Sequence, residues 1–344
     1  MDTTIDFRSD TVTQPTAAMR QAMAGALVGD DVYGDAPWVN ELEHKAAEIL
    51  GQEAGLFVTS GTQGNLLAIL THCQRGEEYI AGMRSHAYLE EAGGGAVLAS
   101  VQPQPIENQP DGTLNLETVQ AAIKPDDFHL AVTKLFCLEN TFLGTPLTSN
   151  YLQNACSLAR KNGLKFHLDG ARLFNAAVKT GVPVKEISGH FDSVSACLSK
   201  GLGSPIGSIL AGNTPFISKA RRWRKMLGGG TRQAGILAAA GIYALDHHIN
   251  RLAVDHELAQ MLADELEQIQ EINVQPAIQR TNMVFISTPS RTIDQLSGFM
   301  RAQGIILTVD SNPIRLVTHL DIDEKAITKT VNQFKEFFRQ HQAV

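Results

Sequence analysis

A lysine follows an apolar run and is itself followed by small residues in Leu198-Ser199-Lys200-Gly201-Leu202-Gly203-Ser204-Pro205-Ile206-Gly207. Lysine is expensive to bury. Gly201, Gly203 and Gly207 let another body approach the backbone closely. An amine in that setting can be partly desolvated and react as a Schiff-base nucleophile at neutral pH; a surface lysine beside a loop is the competing reading. A dinucleotide site fails, because the glycine spacing is wrong and Pro205 precedes an apolar run rather than a helix. Thirty-one positions earlier stands Asp169, in Lys165-Phe166-His167-Leu168-Asp169-Gly170-Ala171-Arg172. A carboxylate ending a strand is where α/β folds put active sites. It could keep a pyridine nitrogen protonated and make the ring an electron sink, or merely cap the helix expected near Arg172. Val58-Thr59-Ser60-Gly61-Thr62-Gln63-Gly64-Asn65 reads as strand, turn and helix. Free N–H groups at a helix start form a phosphate cup. No Walker lysine follows, so ATP is a poor fit. Lys219 to Lys225 holds five cations in seven residues. They suit a solvated helix face, a nucleic-acid contact or the neutralisation of a cofactor phosphate.

These residues need a scaffold, and the hydrophobic pattern supplies one. Short apolar runs at 55–58, 97–101, 133–138, 165–168 and 192–197 alternate with helical stretches such as 39–50, 65–73, 151–161 and 172–178. Strands alternating with helices imply an α/β fold with a mostly parallel sheet covered on both faces. From Ala234 to about Gln270 the chain is helix-rich, and near residue 250 its character changes. Asn282–Ile286 and Ile314–His319 read as strands, with helices at 292–303 and 323–338. The expected organisation is an arm over 1–15, a large domain over 16–250 and a small α+β domain over 251–344.

Composition narrows the function. The 344 residues are 43% hydrophobic and carry a net charge of −7, which argues against a protein that coats nucleic acid. No apolar stretch reaches the ~18–20 residues of a membrane span, and the polar start is no signal peptide, so a cytoplasmic location is expected. Cys73, Cys137, Cys156 and Cys197 are widely spaced. Neither a zinc site nor a disulfide framework is expected, and no metal is assigned.

Lysine, upstream aspartate and a phosphate cup further upstream are together what pyridoxal 5′-phosphate requires, in that order, in the aspartate-aminotransferase-like class. Arg8-Ser9-Asp10-Thr11-Val12-Thr13, Gly29-Asp30-Asp31-Val32-Tyr33-Gly34, His167–Arg172, Leu198–Leu202 and Ile314–His319 resemble the motifs of the low-specificity L-threonine aldolases. The resemblance implies a fold type I structure with a small C-terminal α+β domain. It also implies retro-aldol cleavage of β-hydroxy-α-amino acids to glycine and an aldehyde. Lys200 would carry the cofactor as a Schiff base, Asp169 would pair with its ring nitrogen and His86 would stack on the ring. Gly61 and Thr62 would hold the phosphate, helped by Arg232 or by Lys225 of a neighbouring subunit. Ser9, Tyr33, Arg172 and Arg315 would bind substrate, the arginines through its carboxylate. His129 would approach the β-hydroxyl, although a lone histidine is commonly a surface or core residue. His86, His129 or a water would be the base. The resemblance further implies a tetramer built from dimers with shared active sites. Phe142-Leu143 replace a usual histidine–asparagine pair, Glu90-Glu91 fall where one aromatic or apolar residue is more usual, and Thr231 replaces a common methionine. The alternatives are an aminotransferase or β-eliminating lyase of the same fold, and a nucleic-acid binder using 219–225.

Overall fold

In the structure, a computed structural model, residues 4–309 and 312–341 are described. β1 (Ile5–Asp6) is followed by β2 (Ala54–Val58), β3 (Glu77–Gly82), β4 (Gln102–Ile106), β5 (Val132–Glu139), β6 (Lys165–Gly170), β7 (Ser193–Cys197) and β8 (Ser208–Gly212). The last seven of these make one sheet in the order β2-β8-β7-β6-β5-β3-β4. β4, β3, β5, β6 and β7 run parallel, and β8 runs antiparallel to both its neighbours. β7 and β8 are buried along their whole length, as expected of strands covered on both faces.

The helices are set by local chemistry. Pro37 opens the helix Pro37–Leu50, and Gly51 closes it in the left-handed conformation, which glycine adopts without a Cβ penalty. Ser60 caps Gly61–His72 by accepting the Gln63 N–H. That helix lies so close to β7 that a Cβ on Gly64 would stand 2.5 Å from the Ser195 hydroxyl. No helix among the described residues is long and apolar enough to cross a membrane.

β9 (Asn273–Val274), β10 (Met283–Ser287), β11 (Ile305–Ile306) and β12 (Ile314–Val317) complete the strands. β10 pairs antiparallel with β9 and β12, and β1 lies parallel to β11. Ile5 and Phe7 consequently pack into the C-terminal core with Leu258, Leu262, Phe334 and Phe337. The expected N-terminal arm thus packs against that core through Ile5 and Phe7.

Two departures from the sequence pattern have physical causes. The strand expected over 97–101 is displaced: Gly94–Val97 is a short helix, and the strand is β4. Pro103 and Pro105 disguise it, and β4 tolerates them because it is an edge strand. β3 is hidden by Glu77-Glu78. Glu78 is fully buried, and Lys124, Thr133 and Gln102 satisfy its carboxylate.

Candidate active site

The C-terminal ends of β5, β6 and β7 converge. Glu139 and Asp169 are register partners on neighbouring strands. Lys200 follows β7 in a tight turn, its carbonyl accepting the Gly203 N–H at 2.8 Å. A cavity of about 590 Å³ opens there, lined among others by Lys200, His86, Glu139, Arg172, Ser9 and Arg315. One amine, one imidazole, two carboxylates and three guanidiniums therefore share a single space.

Each group is held. Asp169 is buried; Asn65 Nδ2 donates to its Oδ2 at 2.7 Å and the Ala171 N–H to its Oδ1 at 3.1 Å. His86 Nδ1 bonds Glu91 Oε1 at 2.9 Å. That bond raises the imidazole pKa, against the effect of burial. Burial also raises the Glu91 carboxyl. Burial and the charge of Asp169 push Glu139 up to about 7, although the His86 N–H donates to Glu139 Oε2 at 2.7 Å. Arg172 gives Nε and Nη2 to Asp10 at 2.8 and 2.6 Å, and Asn282 donates to the same Asp10 carboxylate at 3.1 Å. Desolvation would raise Asp10, but Arg172 and Lys200 outweigh it and bring it down to about 2. Arg315 Nη2 donates to the Arg8 carbonyl at 3.2 Å.

The structure thus brings together Lys200, Asp169, His86, Arg172, Arg315 and Ser9. Asp169, Gly61 and Thr62 do not line the cavity, and four further expected residues stand exposed on the single chain. The His129 side chain is 69% exposed and pairs with Asp127. Tyr33 is 78% exposed. Lys225 is exposed, and Arg232, also exposed, pairs with Asp30 at 2.9 Å. The basic cluster is largely engaged by the protein itself. Lys219 donates to the Thr71 carbonyl, Arg221 pairs with Glu43, and Arg224 is buried between Asp31 and the Phe57 carbonyl. Of the altered positions, Glu90 and Leu143 line the cavity, whereas Phe142 is buried beneath Arg84. Atoms of His86, Glu91 and Asp169 lie within 4.8 Å of one another, but Asn65 and His86 already use these carboxylates.

Residues 6–289 match the beta-eliminating lyase family. The low specificity L-threonine aldolase of Escherichia coli (strain K12) is 51% identical over 97% of this chain and 99% of that protein. The chain belongs to the low-specificity L-threonine aldolase family. A probable low-specificity L-threonine aldolase 2 of Arabidopsis thaliana is 43% identical, with 97% of each chain covered. A threonine aldolase structure from Leishmania major superposes with a TM-score of 0.83 at 23% identity, covering 96% of this chain and 99% of that one; it bears on the fold. Aldolases of this family are fold type I lyases that use pyridoxal 5′-phosphate.

The residues present suit that cofactor. The Gly61 and Thr62 N–H groups have no protein acceptor among the described residues, so two donors stand open at a helix start for a phosphate. Lys200 offers its amine to the cavity. Asp169 is an acceptor held only by donors.

Sequence reasoning missed Asp10, Asn65, Glu91, Glu139 and Asn282 as members of the site. Asn65 carried a signal, being a polar residue within an apolar helix. Asp10, Glu139 and Asn282 gained meaning only from partners distant in sequence, and Glu91 from Asn65 as well as from nearby His86.

Proposed function

We propose that this protein cleaves the Cα–Cβ bond of β-hydroxy-α-amino acids, L-threonine and L-allo-threonine among them, reversibly giving glycine and an aldehyde. The observation that carries this reading is the cavity that joins Lys200 and His86 to Arg172 and Arg315. Bound pyridoxal phosphate supplies a carbonyl that takes up the amino group and a ring that withdraws electrons from the breaking bond.

The chain does the rest. Lys200 would hold the cofactor through its amine. Asp169 would pair with the ring nitrogen, and the open N–H groups of Gly61 and Thr62 would hold the phosphate. Ser9, Arg172 and Arg315 grip the substrate carboxylate, which selects the bond to Cα that breaks. His86 has Nδ1 committed to Glu91, so Nε2 is left to accept the hydroxyl proton. Tyr33, His129, Lys225 and Arg232 lie on the surface of the protomer and would complete the site of a neighbouring copy in a tetramer built from dimers. Residues 16–250 act as the cofactor domain behind the 1–15 arm. Residues 251–344 supply Arg315. The location is cytoplasmic.

The test is to incubate the purified protein with L-threonine and L-allo-threonine. Equimolar glycine and acetaldehyde, with no oxo-acid added, are expected. Turnover that required an oxo-acid would make it an aminotransferase. Release of ammonia and 2-oxobutanoate would make it an eliminating lyase.

Glu139 supports a prediction on pH. A carboxyl raised to about 7 keeps a proton in the folded protein that the unfolded chain has released. Stability from this residue is therefore lost as pH rises from about 4.5 through 7. Glu139→Gln should make the apoprotein about 1–3 kcal/mol more stable at pH 8 and remove an ionisation near 7 from the kcat/KM profile. Urea denaturation and rate profiles indistinguishable from the parent would sink the idea.

A further inference from the structure

The helix Gly61–His72 is apolar on nearly every side, yet Asn65 and His72 sit two turns apart on one face of it. Beneath that face, His167 of β6 and Ser193 of β7 are register partners. The four side chains form an unbroken series. Asn65 Nδ2 reaches Asp169 Oδ2 at 2.7 Å and Glu91 Oε1 at 2.8 Å. Asn65 Oδ1 meets His167 Nε2 at 3.1 Å, His167 Nδ1 meets Ser193 Oγ at 2.8 Å, and Ser193 Oγ meets His72 Nε2 at 2.7 Å. The His72 ring stacks on Phe216, centroids 4.5 Å apart.

The carboxylates fix the direction of every bond. With its amide nitrogen turned to both carboxyls, Asn65 gives its two hydrogens to Asp169 and Glu91, and its oxygen accepts from His167 Nε2–H. A neutral imidazole has one N–H. His167 Nδ1 therefore accepts the Ser193 hydroxyl proton. That hydroxyl has no second hydrogen, so His72 Nε2–H donates to it. Both rings are neutral, because burial pushes each down to about 3; Lys165 and Lys219 add to the effect at His72, and His72 adds to it at His167. All donors point toward Asp169, and in a dry seam each bond polarises the next.

We propose that Asn65, His167, Ser193 and His72 are positioning residues whose one-way series of hydrogen bonds fixes the Asp169 carboxylate toward the cofactor's ring nitrogen and sets how firmly that nitrogen holds its proton. This rests on the reading of Asp169 as the partner of that nitrogen. A purely structural seam could be apolar at little loss, since a buried hydrogen-bonded pair and a well-packed apolar one are near-equal in stability. The groups that feel the charge of Asp169 include His86, Glu91 and Glu139; they are left untouched by changes at the far end of the series.

The experiment uses Ser193→Ala, His72→Leu, His72→Gln and Asp169→Asn. Pyridoxal phosphate is titrated into each apoprotein, the visible absorbance of each loaded protein is followed against pH, and thermal denaturation is recorded. Ser193→Ala and His72→Leu should weaken cofactor binding about tenfold or move the absorbance midpoint by about half a pH unit or more. His72→Gln retains a donor near the same place and should stay within about twofold of the parent. If Ser193→Ala and His72→Leu lower only the denaturation temperature, the proposal is wrong; should His72→Leu fail to fold, Ser193→Ala decides. Asp169→Asn separates the two layers. If it changes cofactor binding and absorbance while Ser193→Ala does not, only the relay fails. If it changes neither, the reading of Asp169 fails as well.

Discussion

Lys200→Ala loses turnover of L-threonine by about four orders of magnitude or more, the range seen when a reacting nucleophile is removed. The visible absorption of a lysine-held cofactor disappears with it. The magnitude follows from the part the amine plays in the proposed reaction. Lys200 lies in a turn closed by its own carbonyl and the Gly203 N–H, and its side chain lines the cavity. Loss of the methylene stem and amine leaves the sheet ends untouched, because Glu139, Asp169 and His86 are held by backbone N–H groups, Asn65 and Glu91 rather than by Lys200. The expected protein is therefore folded, binds the cofactor more weakly and is inert. Lys200→Arg distinguishes charge from chemistry. It keeps the cation beside Asp10, but a guanidinium stays protonated at neutral pH and is no nucleophile. Both variants should be equally inactive, measured as glycine and acetaldehyde formed per hour. Activity of the arginine variant within about tenfold of the parent would show that Lys200 acts only as a charge.

The lysine, the aspartate and the glycine-bounded helix start were legible in the sequence because each is a local pattern. Each involves a residue that is costly or unusual where it stands, next to an element with clear hydrophobic character. The parallel strands that carry them were legible for the same reason. β3 and β4 were not, because a buried glutamate and two prolines are tolerable there only through Lys124, Thr133 and the sheet edge. The controlling partners of the site were also hidden. Glu91 matters because Asn65, 26 residues earlier, shares its amide between that carboxylate and Asp169. Asp10 stood in a recognised motif without a role, because Arg172 is 162 positions away. The exposure of His129, Tyr33 and Arg232 on the protomer surface was equally invisible; of the four surface residues only Lys225 was expected to act on a neighbouring subunit.

Asp10→Asn tests whether that hidden partner organises the substrate end. Asp10 is fully buried and joins three segments: its own turn near the N-terminus, Arg172 before the helix Leu173–Thr180, and Asn282 just ahead of β10. Asn282 donates also to the Thr318 carbonyl at 3.1 Å, so the carboxylate ties the large sheet to the C-terminal layer. An amide cannot offer two acceptors to the Arg172 fork. It leaves a guanidinium whose side chain is 12% exposed without its anion. Removing one partner of such a pair costs about 3–5 kcal/mol. The variant should be destabilised by that order at pH 7, and its KM for threonine should rise about tenfold or more while kcat falls less, because Arg172 loses the support that aims it. The pH dependence supplies a sign. A carboxyl held at about 2 against an ordinary 3.8 contributes stability that is complete above about pH 4 and lost as pH falls through about 2. The gap in urea stability between parent and variant should therefore be widest at neutral pH and narrow between about pH 4 and 2. A gap that stayed constant over that range, or an unchanged KM, would mean that Arg172 is aimed by something other than Asp10.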